Sequence, residues 1–343
     1  MKKIYKCDSC GSNLIFNPDT QNLTCEHCKT SVLINKTNQA PPSQVQYSSR
    51  LNFNKSTNIG SVYKCSACET KVSSSNETPV TRCPSCGNKD LLKINETQIH
   101  PMNIIPFQLS KKKASLCYKK WINSRKFAPN NLKKMAKQQK ISGFYAPIYL
   151  FDFDATTHYS AHGVDESKRA DGSIRTSTTY INDVEYSFYD DYIYSANRKI
   201  PSQQFRNMGG FNPNGIVPYS NEYILGFMGL GTNRTVHSSL DLVEEEIAAL
   251  EAQKIKYKLN RKFDDVDFFR SNTTINKVWC DYVYVPIWSN HYSYKGKEYH
   301  CYINGQTGKV TGKSPKSVWK ILGLTALIVA GIACFAFLFN YIQ

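Results

Sequence analysis

Between residues 101 and 150 there is no aspartate or glutamate, against eleven lysines and arginines. That stretch carries eleven of the sixteen net positive charges of the 343-residue chain, so its basic character is local. A local block of one sign is a surface for an acidic partner, either nucleic acid or anionic lipid. Also missing is the apolar core of a secretory signal, because Met1-Lys2-Lys3-Ile4-Tyr5-Lys6 runs straight into Cys7. The N-terminal part is therefore expected in the cytosol, where thiols stay reduced and cysteine clusters favour metal over disulfides. A phosphate-binding loop is lacking too. Gly312-Lys313-Ser314 imitates its end, but Thr307 stands where the first glycine belongs and Pro315 follows. No nucleophile–base pair stands out. His158 and His162 share a strand face near Asp152 and Asp154, yet lie several residues apart. The expectation is that the chain is not an enzyme.

Cysteine is what the sequence does have. Of twelve, eight form two sets of one spacing: Cys7-x2-Cys10 with Cys25-x2-Cys28, and Cys65-x2-Cys68 with Cys83-x2-Cys86. Each two-residue gap aims two sulfurs at one point, and two such knuckles supply a tetrahedral thiolate site. Gly11 and Gly87 follow the second cysteine of their knuckles and would relieve the sharp turn. Two structural Zn2+ ions are expected, one per quartet, with no open coordination position and hence no hydrolytic role. Modules this small depend on the metal to fold. His27 lies inside a knuckle whose shell four thiolates already complete. Cys117, Cys280, Cys301 and Cys334 sit among apolar residues and read as core or membrane fillers.

Residues 321–339 form one uncharged run, ILGLTALIVAGIACFAFLF, long enough as a helix to span a bilayer. Lys309, Lys313, Lys316 and Lys320 precede it, with Trp319 at the interface position, which predicts a single-pass cell-membrane protein whose N-terminal bulk is cytoplasmic. Ser110 heads a helix over 111–126 with Ala114, Cys117, Tyr118, Trp121 and Ile122 on one face. Lys111, Lys112, Lys113, Lys119 and Lys120 offer anionic lipid a partner there, although such lysines are as often merely solvated. A second helix is expected over 238–262, with Leu240, Val243, Ile247 and Leu250 inward. The rest reads as strand. Tyr145-Ala146-Pro147-Ile148-Tyr149 resembles Tyr284-Val285-Pro286-Ile287-Trp288, hinting at a duplicated strand, and Asn304-Gly305 marks a tight hairpin turn.

With both quartets, the Ile105-Pro106-Phe107 lead into the basic helix, the two Tyr-x-Pro-Ile-aromatic strands, the Asn304-Gly305-Gln306-Thr307-Gly308-Lys309 hairpin and the apolar tail in hand, most of the chain resembles one bacterial family. These are the membrane-anchored double zinc-ribbon proteins of Gram-positive bacteria, labelled "TFIIB-type zinc ribbon" or, from the cysteines alone, primosomal helicase. The helicase label finds no ATPase motif here. Some relatives are similar to proteins encoded beside phage-shock-protein A and stomatin-like proteins, which implies a role in recruiting envelope-stress proteins to the membrane. Glu69 stands where relatives tend to have a knuckle glycine.

The expected architecture is thus multi-domain: a zinc ribbon (1–35), a flexible linker (36–60), a second ribbon (61–97), an α+β antiparallel-sheet central domain (98–315) and a transmembrane anchor (318–340). The expected function is a membrane-tethered adaptor that recruits protein partners. The alternative is a nucleic-acid-binding protein of transcription or replication, disfavoured because the ribbons are only weakly basic. A ligand-binding or catalytic central domain ranks third.

Overall fold

In the computed structural model, residues 5–34, 45–48, 61–74, 80, 82–96, 101–135 and 141–342 are described. In chain order the strands are β1 (Leu14–Asn17), β2 (Asn22–Cys25), β3 (Ser31–Val32), β4 (Val45–Gln46), β5 (Ser61–Cys65), β6 (Lys71–Ser74), β7 (Leu91–Ile94) and β8 (Asn103–Ile104). Helices α1 (Lys111–Ser124) and α2 (Asn130–Met135) follow, then β9 (Ser142–Lys168), β10 (Ile174–Ser195) and α3 (Ser202–Asn207). The chain continues through β11 (Val217–Pro218), β12 (Met228–Leu230), α4 (Val236–Asn260), β13 (Asp265–Tyr294), β14 (Lys297–Asn304), β15 (Val310–Gly312) and α5 (Val318–Ile342).

The two long strands β9 and β13 pair antiparallel at the centre, and the duplicated motifs meet there. Tyr145 lies opposite Pro286 and Pro147 opposite Tyr284, about a local two-fold between Ala146 and Val285. Proline lacks the ladder N–H and normally shuns central strands. Here each proline falls where its strand changes outer neighbour. β9 pairs with β12 at Phe144 and Tyr145, then with β10 from Ile148. Likewise β13 pairs with β8 at Val283 and Tyr284, then with β14 from Ile287. The carbonyl of each proline accepts from the residue just past the outer strand: Ala196 N–H to Pro147 at 3.1 Å, Gly305 N–H to Pro286 at 2.8 Å.

Aromatics alternate along β9, yet neither face of the strand is left open. Tyr145, Tyr149, Phe151 and Phe153 fill one side, while Phe144, Ala146, Ile148 and Leu150 pack with α3 residues on the other. Beyond the core, β9, β10 and β13 run on as a three-stranded arm, and α4 braces one of its faces. α4 starts two residues before the expected 238, with Thr235 Oγ1 accepting from the Ser238 N–H at 3.2 Å as N-cap. Its inner face carries Leu240, Val243 and Ile247 as expected, but Leu250 is exposed and Glu251 is buried in its place. The side spacing of that turn puts Glu251, not Leu250, toward β10. There it accepts from Ser187 Oγ and Tyr189 Oη and pairs with Lys254.

The cysteine modules are built into this framework. β6 pairs with β12, so one twelve-stranded sheet runs from the central region into the second module. The first module has its own three-stranded sheet, β1-β2-β3. It docks through the Phe16 N–H to the Leu225 carbonyl (2.9 Å), Gln21 Nε2 to the Phe107 carbonyl (2.8 Å) and an Asp19–Lys113 ion pair (2.8 Å). Of the expected linker, 36–44 and 49–60 lie outside the described residues. Val45 and Gln46 instead pair with Cys280 and Trp279, and Tyr47 Oη hydrogen-bonds His237 Nδ1 at 2.7 Å, which ties this part down. α5 is long and apolar enough over Val318–Leu338 to cross a membrane, and none of its most apolar window is buried.

Candidate metal centres

Four knuckles share one backbone design. The N–H of each first cysteine donates to the carbonyl five residues on: Cys7 to Ser12 (2.8 Å), Cys25 to Thr30 (2.9 Å), Cys65 to Thr70 (3.1 Å) and Cys83 to Asn88 (2.7 Å). The Gly11, Glu69 and Gly87 N–H groups return to the carbonyls of Cys7, Cys65 and Cys83 at 2.8–2.9 Å. Closing this loop places the residue after each second cysteine in the left-handed region: Gly11 (φ 71°), Lys29 (63°), Glu69 (59°) and Gly87 (79°). Glycine adopts this without cost; Lys29 and Glu69 bear the Cβ strain. Glu69 thus completes the same turn without the expected glycine.

The sequence-predicted ligands converge. In each quartet the four sulfurs lie within 4.8 Å of one another. The Cys7–Cys28 and Cys10–Cys25 sulfurs are 3.5 and 3.4 Å apart, and Cys65–Cys86 and Cys68–Cys83 are both 3.6 Å. Those gaps far exceed the ~2.0 Å of a disulfide. They approach the ~3.8 Å edge of a tetrahedron with ~2.3 Å metal–sulfur bonds. The donor set therefore fits two four-thiolate ions.

The surroundings of the two quartets differ. Cys7, Cys25, Cys65 and Cys83 are buried, whereas Cys10 and Cys28 are exposed and Cys68 and Cys86 half-buried. The second centre is covered by β13, where His291 Nε2 lies 2.9 Å from the Pro84 carbonyl and a Cβ on Gly87 would come within 3.2 Å of His291. His291 also lies 2.5 Å, nitrogen to nitrogen, from His300, and burial with that neighbour pushes its pKa down to about 4. Hydrogen bonds from Thr30 hold Cys28 down to about 6, while burial pushes Cys83 up.

Sequence reasoning missed the threonines. Thr30 Oγ1 lies 3.0 Å from Cys28 Sγ, able to donate to a metal-bound thiolate, and Thr70 Oγ1 accepts from Cys68 Sγ at 3.3 Å. Their shared place, two residues after a knuckle, was the available signal. His27 is exposed and outside the quartet. His158, His162, Asp152 and Asp154 are not brought together: His162 packs against Tyr180 and Phe268, and Asp154 pairs with Lys277 at 3.0 Å. Asp152 instead groups with Asp190 and Asp191 at the foot of the arm, an arrangement exposed acids commonly adopt without an ion. Gly312 closes β15 against β14, with no phosphate loop.

The chain is similar to the uncharacterized protein YdjG of Bacillus subtilis (strain 168), with 25% identity over 340 residues, covering 95% of this chain and 94% of that protein. No family model and no solved structure matches. The similarity is therefore not confined to the cysteine modules.

Proposed function

We propose that the protein is a membrane-tethered adaptor whose two modules are zinc ribbons and whose arm and modules bind protein partners at the cytoplasmic face. The observation that carries this reading is α5: a helix whose stretch Val318–Leu338 is apolar all round except for Lys320 at its foot, joined to a body that brings together two groups of four cysteines. Four thiolates in tetrahedral spacing favour zinc over a hard cation such as Mg2+. The metal then folds the knuckles and does no chemistry on a substrate. For partners, the arm offers a bare aromatic face opposite α4, with Tyr180, Tyr186, Phe188 and Phe268 all at least 69% exposed. Clusters of exposed aromatics of this kind mark protein contact surfaces. The resemblance to the double zinc-ribbon family implies phage-shock-protein-A-like or stomatin-like membrane proteins as the partner class.

The test is capture of the full-length protein from membranes, beside a Cys25→Ser/Cys83→Ser form and a Tyr186→Ser/Phe188→Ser form. The expected result is about two equivalents of zinc per chain, retention in carbonate-washed membranes, and partners lost from one or both variants. Much less than two equivalents, or release by carbonate, overturns the reading. The acid-free stretch 101–150 favours a second reading, nucleic-acid binding, which predicts steeply salt-dependent affinity for a DNA or RNA duplex.

A further inference from the structure

The corner between α1 and α2 grips the base of α5. The Ser317 N–H donates to the Phe127 carbonyl at 2.8 Å, and the Lys320 ammonium donates to the Ala128 carbonyl at 2.8 Å and to Asn130 Oδ1 at 2.9 Å. Lys320 thus turns back from the apolar helix toward polar acceptors, as a lysine at a membrane boundary does. Trp319 beside it is 84% exposed. If α5 crosses a bilayer, the premise taken from the proposed function, the Phe127–Asn130 corner stands at headgroup level. Exposed Arg125 and Lys126 stand with it. Lys120 follows about 8 Å back along α1, within one Debye length. Exposed Lys313 and Lys316 come from the segment leading into α5.

Nothing acidic from either segment offsets these charges, since 101–150 and 299–343 contain no aspartate or glutamate. The carboxylate that pairs with α1, Asp19, holds Lys113 at the other end of the helix. On the outer face of α1, opposite buried Tyr118, Leu116 is 57% exposed with Lys112, Lys113, Lys119 and Lys120 one turn to either side. An apolar side chain ringed by lysines suits the boundary between phosphates and acyl chains; a nucleic-acid backbone has no use for it.

We propose that this corner is a binding surface for the headgroups of anionic phospholipids, held by Lys120, Arg125, Lys126, Lys313 and Lys316 around the foot of α5. The full-length protein is reconstituted in phosphatidylcholine vesicles containing either spin-labelled phosphatidylglycerol or spin-labelled phosphatidylcholine, and the motionally restricted fraction of each lipid is measured. Phosphatidylglycerol is expected to be selected, the selectivity falling with salt and by up to about fivefold for each lysine neutralised. A Lys120→Gln/Lys126→Gln/Lys316→Gln variant should lose most of it, and Lys168→Gln/Arg169→Gln at the β9–β10 turn, the far end of the arm, should lose none. All five positions are solvent-facing, and an unchanged melting temperature confirms that the fold is kept. Equal restriction of both lipids by the native protein, an unaffected triple variant, or displacement of the lipid by a DNA duplex with no contribution from Leu116 (tested as Leu116→Ser) overturns the proposal. A protein that resists carbonate but selects no lipid sinks this inference alone, whereas one stripped by carbonate sinks the tethering as well.

Discussion

Gly305 shows how much one missing side chain can hold. A Cβ there would come within 2.6–2.8 Å of Phe107 and Pro286, while its N–H and carbonyl tie Pro286 to Gln108 and Leu109. Gly305→Ala should therefore cost about 2–3 kcal/mol, read as a lower urea midpoint. The sequence pointed to this dipeptide for another reason, a tight turn. The turn in fact runs on to Gly308 (φ 79°), with Asn304 Oδ1 accepting from the Gln306 and Thr307 N–H groups. Local propensity marked the bend; its tightness against Phe107 is a tertiary fact that no local pattern contains. Asp191 allows a pH test. Burial, with Asp190, Asp152 and Asp281 nearby, pushes its pKa up to about 6. A carboxyl with a higher pKa folded than unfolded favours the fold below about pH 4, and that benefit is lost as pH rises through about 6. Asp191→Asn, which keeps the left-handed φ of 51° readily, should then stabilise by about 1 kcal/mol at about pH 8, allowing for solvent screening, and by about half that near pH 5. Denaturant unfolding at the two pH values measures the difference.

At the scale of elements, the two cysteine modules were legible almost completely, because metal chemistry writes its geometry directly into spacing. Their unequal cover was not. The first centre turns Cys10 and Cys28 to solvent, while the second lies under β13 with Pro84 and Gly87 against His291. Chelator should accordingly strip the first ion several-fold faster than the second. Two-phase zinc release, with the fast phase alone abolished by Cys10→Ser, is the expected record. A single phase would show that the cover does not matter. Helices followed the same divide. The apolar positions of α1 were assigned correctly because periodicity alone decides them. On α4 the sequence favoured Leu250 over Glu251, since no periodicity rule foresees a carboxylate satisfied by Tyr189, Ser187 and Lys254 from elsewhere.

For the molecule as a whole, the sequence hinted at duplication but not at its geometry. The repeated Tyr-x-Pro-Ile segments proved to face each other, each proline sitting where strand neighbours change over. The same crossing sorts the molecule by direction. Below it, β9 leads through β12 to the second metal module, and β13 leads through β14 and β15 toward α5. Above it stand β10 and the upper lengths of β9 and β13, with their uncovered aromatics. From Ile287 to Asp265, β13 extends roughly 70 Å at the usual strand rise. Stiffened by α4, that span has the build of a boom: anything gripping its far end would be held at a set standoff from the crossing and from the strands that lead to α5.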